Sequence, residues 1–170
     1  MSILISAPIR TGKTLYVIKC IFDELNKGRQ VYTNIVGIKI DGVISVSSSI
    51  DKPFDWRDLP NGSVLVWDEA HEHPAFAEQD LLKTFRIDET PFHELIDKIN
   101  SDLTITIAEK KKRIERVEKA AKNELDKQKE SIRDIGRSLL LHGHFGIEIY
   151  FITQRVTKLN SDVLASVTTH

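Results

Sequence analysis

Three short stretches carry residue types suited to phosphate chemistry. The first is Ala7-Pro8-Ile9-Arg10-Thr11-Gly12-Lys13-Thr14. It matches the phosphate-cradling pattern G-x-x-x-x-G-K-[ST] at every defining position except the first, where Ala7 replaces glycine. A turn that opens a helix aims free backbone N–H groups at one spot, and the helix dipole favours an anion there. Gly12 lets the backbone approach the phosphates closely. Lys13 is expected to reach the β- and γ-phosphates, and the Thr14 hydroxyl to ligate Mg²⁺. The expected nucleotide contacts run from Ala7, Pro8, Ile9 and Arg10 through Thr11, Gly12, Lys13 and Thr14 to Leu15, and these residues do not choose between ATP and GTP. Ala7 tolerates only ordinary backbone angles, and Pro8 stiffens the entry further.

The second stretch is Val64-Leu65-Val66-Trp67-Asp68-Glu69, an apolar run ending in two adjacent carboxylates. An Asp at such a strand end suits Mg²⁺, which Asp68 would share with Thr14. The following Glu69 suits polarisation of an attacking water. The third stretch is Thr153-Gln154-Arg155. A polar side chain there, Gln154, is placed to sense the γ-phosphate or to orient the water. Lys13, Glu69 and Gln154 form the expected catalytic set.

These residues need elements to hold them. Ser2 to Ser6 reads as a buried strand stopped by Ala7-Pro8. Leu15, Ile18, Phe22 and Leu25 recur at helical spacing, with Gly28 as the stop, which predicts a helix of about four turns. Gln30 to Ile35, Val43 to Val46, Ser63 to Asp68 and Gly146 to Thr153 read as further strands. Strand, helix and strand in this order predict an α/β fold with a mainly parallel sheet. Ligands of open α/β sheets bind at the C-terminal strand ends, where the loop and the carboxylates would meet. The order also suits hydrolases whose Gln-bearing strand lies between the loop strand and the carboxylate strand. Glu69 favours that division over nucleotide kinases.

Composition narrows the alternatives. The chain has 170 residues, with 24 Lys plus Arg against 25 Asp plus Glu and a net charge of −1. That balance excludes a strongly basic nucleic-acid module and an acidic disordered chain. The size fits one domain. A single cysteine, Cys20, excludes an internal disulfide and a Cys-rich zinc site. Cys20 lies inside the first helix and reads as packed. His71-Glu72-His73 and His142-Gly143-His144 carry ligand types, but they read as structural histidines. No apolar run reaches the length of a membrane-crossing helix, and the first residues lack the basic-then-apolar pattern expected of a signal peptide.

Glu109 to Asp134 stands apart. It holds ten Lys or Arg against seven Asp or Glu, with no Gly or Pro. A long solvated helix is predicted, inserted at about 101–135. Ile114, Ala121, Leu125, Ile132 and Ile135 form its apolar stripe. Lys111, Glu118 and Gln128 interrupt the heptads of a strict coiled coil.

Ser6-Ala7-Pro8 with Gly12-Lys13-Thr14, then Trp67-Asp68-Glu69-Ala70-His71, then His142-Gly143-His144-Phe145-Gly146 leading to Ile152-Thr153-Gln154, resemble the zonula occludens toxin (Zot) family. That family includes the gene I assembly proteins of filamentous phages. The resemblance covers residues 1 to about 85 and about 135 to 170. It implies a P-loop NTPase three-layer sandwich of the additional-strand, catalytic-Glu division, with the charged helix as an insertion. It implies an ATPase with ATP and Mg²⁺ as cofactors, powering filamentous phage assembly and extrusion at the host inner membrane. Implied partners are further copies in a ring, phage assembly and coat proteins, and phage single-stranded DNA. Family members continue into a transmembrane helix and a non-cytoplasmic domain, so the chain resembles the cytoplasmic N-terminal part.

Departures bear on mechanism. Gly143 stands where the family often has Arg, and Glu148 where it often has Asp. A ring motor completes each site with a neighbour's Arg, for which Arg137, Arg155 and Arg10 are the candidates. Ala7 and Gly143 motivate a rival reading, a nucleotide-binding interaction module that no longer hydrolyses ATP.

Overall fold

In the computed structural model, the described residues are 1–8, 11–78 and 80–168. The apolar runs read as strands form one sheet. Its strands are β1 (Ser2–Ser6), β2 (Val31–Thr33), β3 (Val43–Ser45), β4 (Val64–Trp67) and β5 (Glu148–Thr153), in spatial order β1-β5-β4-β2-β3. Every pairing is parallel. The α/β class and the parallel sheet expected from the sequence are therefore present, and β5 lies between the loop strand and the carboxylate strand. The four residues of β4 are all buried between β5 and β2, as a continuous apolar run in a parallel sheet should be.

Side-chain alternation divides the core into two sides. Val64, Val66, Tyr150 and Ile152 pack with Val17 and Ile21 of helix α1 (Lys13–Asn26). On the other side an aromatic cluster forms. Phe76 meets Phe151 edge-on at 5.2 Å, and Trp67 meets His73 edge-on at 4.9 Å. His73 stacks on Phe76 at 4.0 Å.

The stripe that announced α1 is only partly buried, with Leu25 packed against the core. Leu15 is 74% exposed and Phe22 47% exposed, while Val17, Ile21 and Glu24 face inward. A buried carboxylate explains the difference. Glu24 is only 2% exposed and accepts hydrogen bonds from Lys27 (2.6 Å), Tyr150 (3.1 Å) and Arg29 (3.1 Å). Burial alone would raise its pKa, but the hydrogen bond and charge of Lys27, with Tyr150 and Arg29, outweigh burial and hold it below the ordinary value. A hydrophobicity pattern counts this position as outward, so the apparent face rotates.

The chain divides into two compact units. The first, Met1–Thr84 with Ile132–His170, contains the sheet, α1, the short helix α2 (Asp80–Thr84), the C-terminal helix α5 (Ser161–Ser166) and the last turns of α4 (Ile107–Arg137). There the Trp56 indole N–H donates to the Ile135 carbonyl at 3.0 Å, and Arg57 pairs with Asp134 at 2.8 Å. The second unit, Phe85–Ser131, contains α3 (Thr90–Ser101) and most of α4. The long charged helix is thus present, with Ile132, Ile135 and Gly136 as its buried residues. Its start is a capping box. Thr106 N–H donates to Glu109 Oε2 at 3.1 Å, and Glu109 N–H donates to Thr106 Oγ1 at 3.3 Å. Lys110 Nζ reaches back to the Asn100 carbonyl at 2.6 Å.

Candidate functional site

The parallel sheet brings the C-terminal ends of β1, β5, β4 and β2 side by side. From them project the loop, Gln154, Asp68-Glu69 and Asn34 in turn. Gly12 has φ 83°, a left-handed conformation that glycine adopts without strain. No side chain caps α1, so the N–H groups of its first turn are left for a ligand. The Thr11 hydroxyl donates to the Pro8 carbonyl at 2.7 Å and closes the loop. Ile9 and Arg10 lie outside the described residues.

A pocket of about 310 Å³ sits at this point, bounded by the loop residues Thr11–Thr14 and by Asp68, Glu69 and Gln154. Val17, Ile35 and Ile152 complete its wall. It contains two buried polar atoms with no hydrogen-bond partner, Lys13 Nζ and Glu69 Oε2. Leaving such groups unmet costs about 1–3 kcal/mol each, and more when they are charged. Orphaned atoms of this kind mark a site built for something else. An ammonium without a partner suits a phosphate oxygen, and a bare carboxylate oxygen suits a water proton.

Glu69 is held in an unusual way. Its backbone lies at φ 48° and ψ 48°, the one non-glycine residue with positive φ among those described. Such a conformation costs about 1 kcal/mol. Glu69 N–H donates to Asp68 Oδ1 at 2.9 Å. Gln154 Nε2 donates to Glu69 Oε1 at 2.8 Å, and Oε2 accepts no hydrogen bond. His71 Nδ1 lies 3.4 Å from that Oε2 and 2.9 Å from Thr153 Oγ1.

Lys13, Thr14, Asp68, Glu69 and Gln154, expected from sequence as one site, thus line one pocket, with Thr11 and Gly12 beside them. Ala7 and Pro8 lead into the loop from β1 without lining the pocket, and the Leu15 side chain points to solvent. What Leu15 offers is its backbone N–H in the first turn of α1. Asn34 is the residue that sequence reasoning passed over. It exchanges two hydrogen bonds with Asp68, and only its position just past a strand end hinted at that. Among the described residues, no three or more His, Cys, Asp or Glu gather as a metal cluster, and no helix is long and apolar enough to cross a membrane. A second, larger cavity of about 1080 Å³ adjoins the pocket and shares Ile35, Asp68 and Glu69 with it.

Known proteins resemble this chain in sequence and in fold. The chain is 44% identical over 82 residues to ORF301 of Pseudomonas phage Pf3, a protein named for assembly. That stretch covers 46% of this chain and 27% of ORF301. The crystal structure of the N-terminal domain of zonular occludens toxin from Neisseria meningitidis superposes with a TM-score of 0.55. It is 20% identical and is matched over 98% of this chain and 72% of that one, a likeness of fold. The family model of zonular occludens toxin (Zot) matches residues 1–170. The chain belongs to the zonular occludens toxin family.

Proposed function

We propose that this chain is the ATP-driven cytoplasmic part of a machine that assembles and extrudes filamentous phage. The observation that carries the reading is a pair of buried atoms without hydrogen-bond partners, Lys13 Nζ and Glu69 Oε2, on residues that line one pocket at the strand ends. The donor set fits a nucleotide triphosphate with Mg²⁺: a cation, a glycine-shaped helix start, a hydroxyl and two carboxylates. Thr14 and Asp68 would hold the ion, which supplies positive charge to the phosphates when bound. Lys13 and the first-turn N–H groups of α1 bind the phosphate oxygens and orient the chain of phosphates. Glu69 Oε2 accepts the proton of the attacking water, and Gln154 keeps the carboxylate turned toward it.

The phage role rests on family membership and on the name of the Pf3 relative. Its partners are phage assembly and coat proteins and the single-stranded DNA they enclose. The domain works at the host inner membrane, tethered by a further segment. In this reading the chain works as a ring in which a neighbouring copy supplies an arginine to the site. Arg155, at the rim of the adjoining cavity, is a candidate for that part.

The test pairs ATP binding with phosphate release at high protein concentration. Lys13→Ala should weaken binding at least about tenfold, through loss of a charge-assisted phosphate contact. Glu69→Gln should bind ATP normally and lose about 100-fold or more in turnover, the usual worth of a general base. Lys13→Ala binding ATP as well as wild type would refute the site. ATP binding with no turnover that depends on Glu69 would instead identify a nucleotide-binding module that no longer hydrolyses.

A further inference from the structure

The ladder between β2 and β4 pairs Thr33 with Val66 as its last rung. One residue past Thr33, the Asn34 side chain continues that ladder by itself. Asp68 N–H donates to Asn34 Oδ1 at 2.7 Å, and Asn34 Nδ2 donates to the Asp68 carbonyl at 2.8 Å. A side-chain amide carries the same donor and acceptor as a peptide, so it mimics one more rung.

That carbonyl belongs to the peptide that leads into Glu69. The N–H of the same peptide is bonded to Asp68 Oδ1. Both ends of the peptide plane are therefore tied, one by Asn34 and one by Asp68 itself. The orientation of this plane helps set φ at Glu69, which is left-handed at 48°. Released from Asn34, the residue would be free to relax to the backbone regions an L-residue prefers, turning its carboxylate away. Gln154 grips only the far end of the side chain, through Oε1.

We infer that Asn34 is a positioning residue for Glu69, holding the backbone while Gln154 holds the carboxylate. The inference rests on the hydrolytic reading of the site. Asn34 does not line the phosphate pocket, and its hydrogen bonds go to the backbone of Asp68, so it acts at the carboxylate strand end. A clamp with a merely structural role would lower stability and affinity together. A positioning role separates turnover from binding.

The experiment measures ATP affinity with a fluorescent analogue, kcat and KM, and thermal stability for wild type, Asn34→Ala and Asn34→Asp. Asn34→Ala should lower kcat by about 10- to 100-fold, the range expected when a reacting group is misplaced by about 1 Å. Its nucleotide Kd measured without Mg²⁺ should stay within about twofold, since the Lys13 and helix-start contacts to the phosphates are untouched. Asn34→Asp keeps the acceptor for Asp68 N–H and loses the donor, so its kcat should also fall with Kd retained. If Asn34→Ala does not fold, Asn34→Asp alone decides. Folded variants with wild-type kcat overturn the inference, and so does a kcat loss matched by an equal loss of affinity. A wild-type chain that binds no ATP, or binds it without turnover, removes the hydrolytic reading itself and this inference with it.

Discussion

Acid should loosen this protein through one histidine. His73 is 2% exposed, pressed between Phe76 and Trp67. Its Nε2–H donates to the Phe54 carbonyl at 3.0 Å, and its Nδ1 accepts from Ala75 N–H at 3.1 Å. Both nitrogens are satisfied only in the neutral ring. A proton added at Nδ1 would face another N–H. Burial pushes its pKa down to about 4 from 6.5, against the opposing pull of the Phe54 carbonyl. The unfolded chain therefore takes up the proton first as pH falls. Stability from neutral His73 is fully present above about pH 6.5 and is lost progressively toward about pH 4. The total is about 3 kcal/mol, of which about 2 kcal/mol goes between about pH 7.5 and about pH 5. The assay is urea unfolding of wild type and His73→Gln at both values. The variant starts less stable, but carboxylates titrate alike in both chains, so the difference in pH dependence isolates the histidine. Parallel loss of stability in the two proteins would refute the reasoning. So would an NMR titration showing the His73 ring charged near pH 6 in the folded state.

Two further outcomes follow from packing and charge. Glu24→Gln should destabilise by about 2 kcal/mol, the worth of a hydrogen bond to a charged group, because Arg29 keeps its 3.0 Å pair with Glu148; urea unfolding measures it. Gly136→Ala should cost about 1–3 kcal/mol, since a Cβ there would lie 2.5 Å from the Ala75 carbonyl oxygen; an unchanged melting temperature would contradict that contact.

The candidate site was legible because its demands are local. A glycine, a lysine and a hydroxyl at fixed spacing need only a strand before and a helix after, and β1 and α1 supply both. Asp68-Glu69 and Gln154 were legible for the same reason, each ending an apolar run. Asn34 was not, because its work is a contact across 34 positions and an Asn after a strand is common punctuation. The left-handed backbone at Glu69 was equally hidden, since nothing in its neighbours favours positive φ. The inward face of α1 was misjudged because burial of Glu24 depends on Lys27, Arg29 and Tyr150 arriving from elsewhere. The long charged helix needed no tertiary knowledge. Its freedom from helix breakers over residues 109–134 sufficed, and the capping box at Thr106 and Glu109 marks its start.

The sheet order also fixes when the site can exist during synthesis. β1, which carries the loop, pairs with β5 and with no other strand, Ser2 lying opposite Ile149. Strands β4, β2 and β3 can join one another early, but β1 must wait until residues 148–153 have left the ribosome. Closing so long a loop is slow, and it comes late. A nascent chain therefore gains Lys13 and Glu69 as neighbours only in the same step that inserts β5, so any ligand held by both reports completed folding and cannot template the early stages.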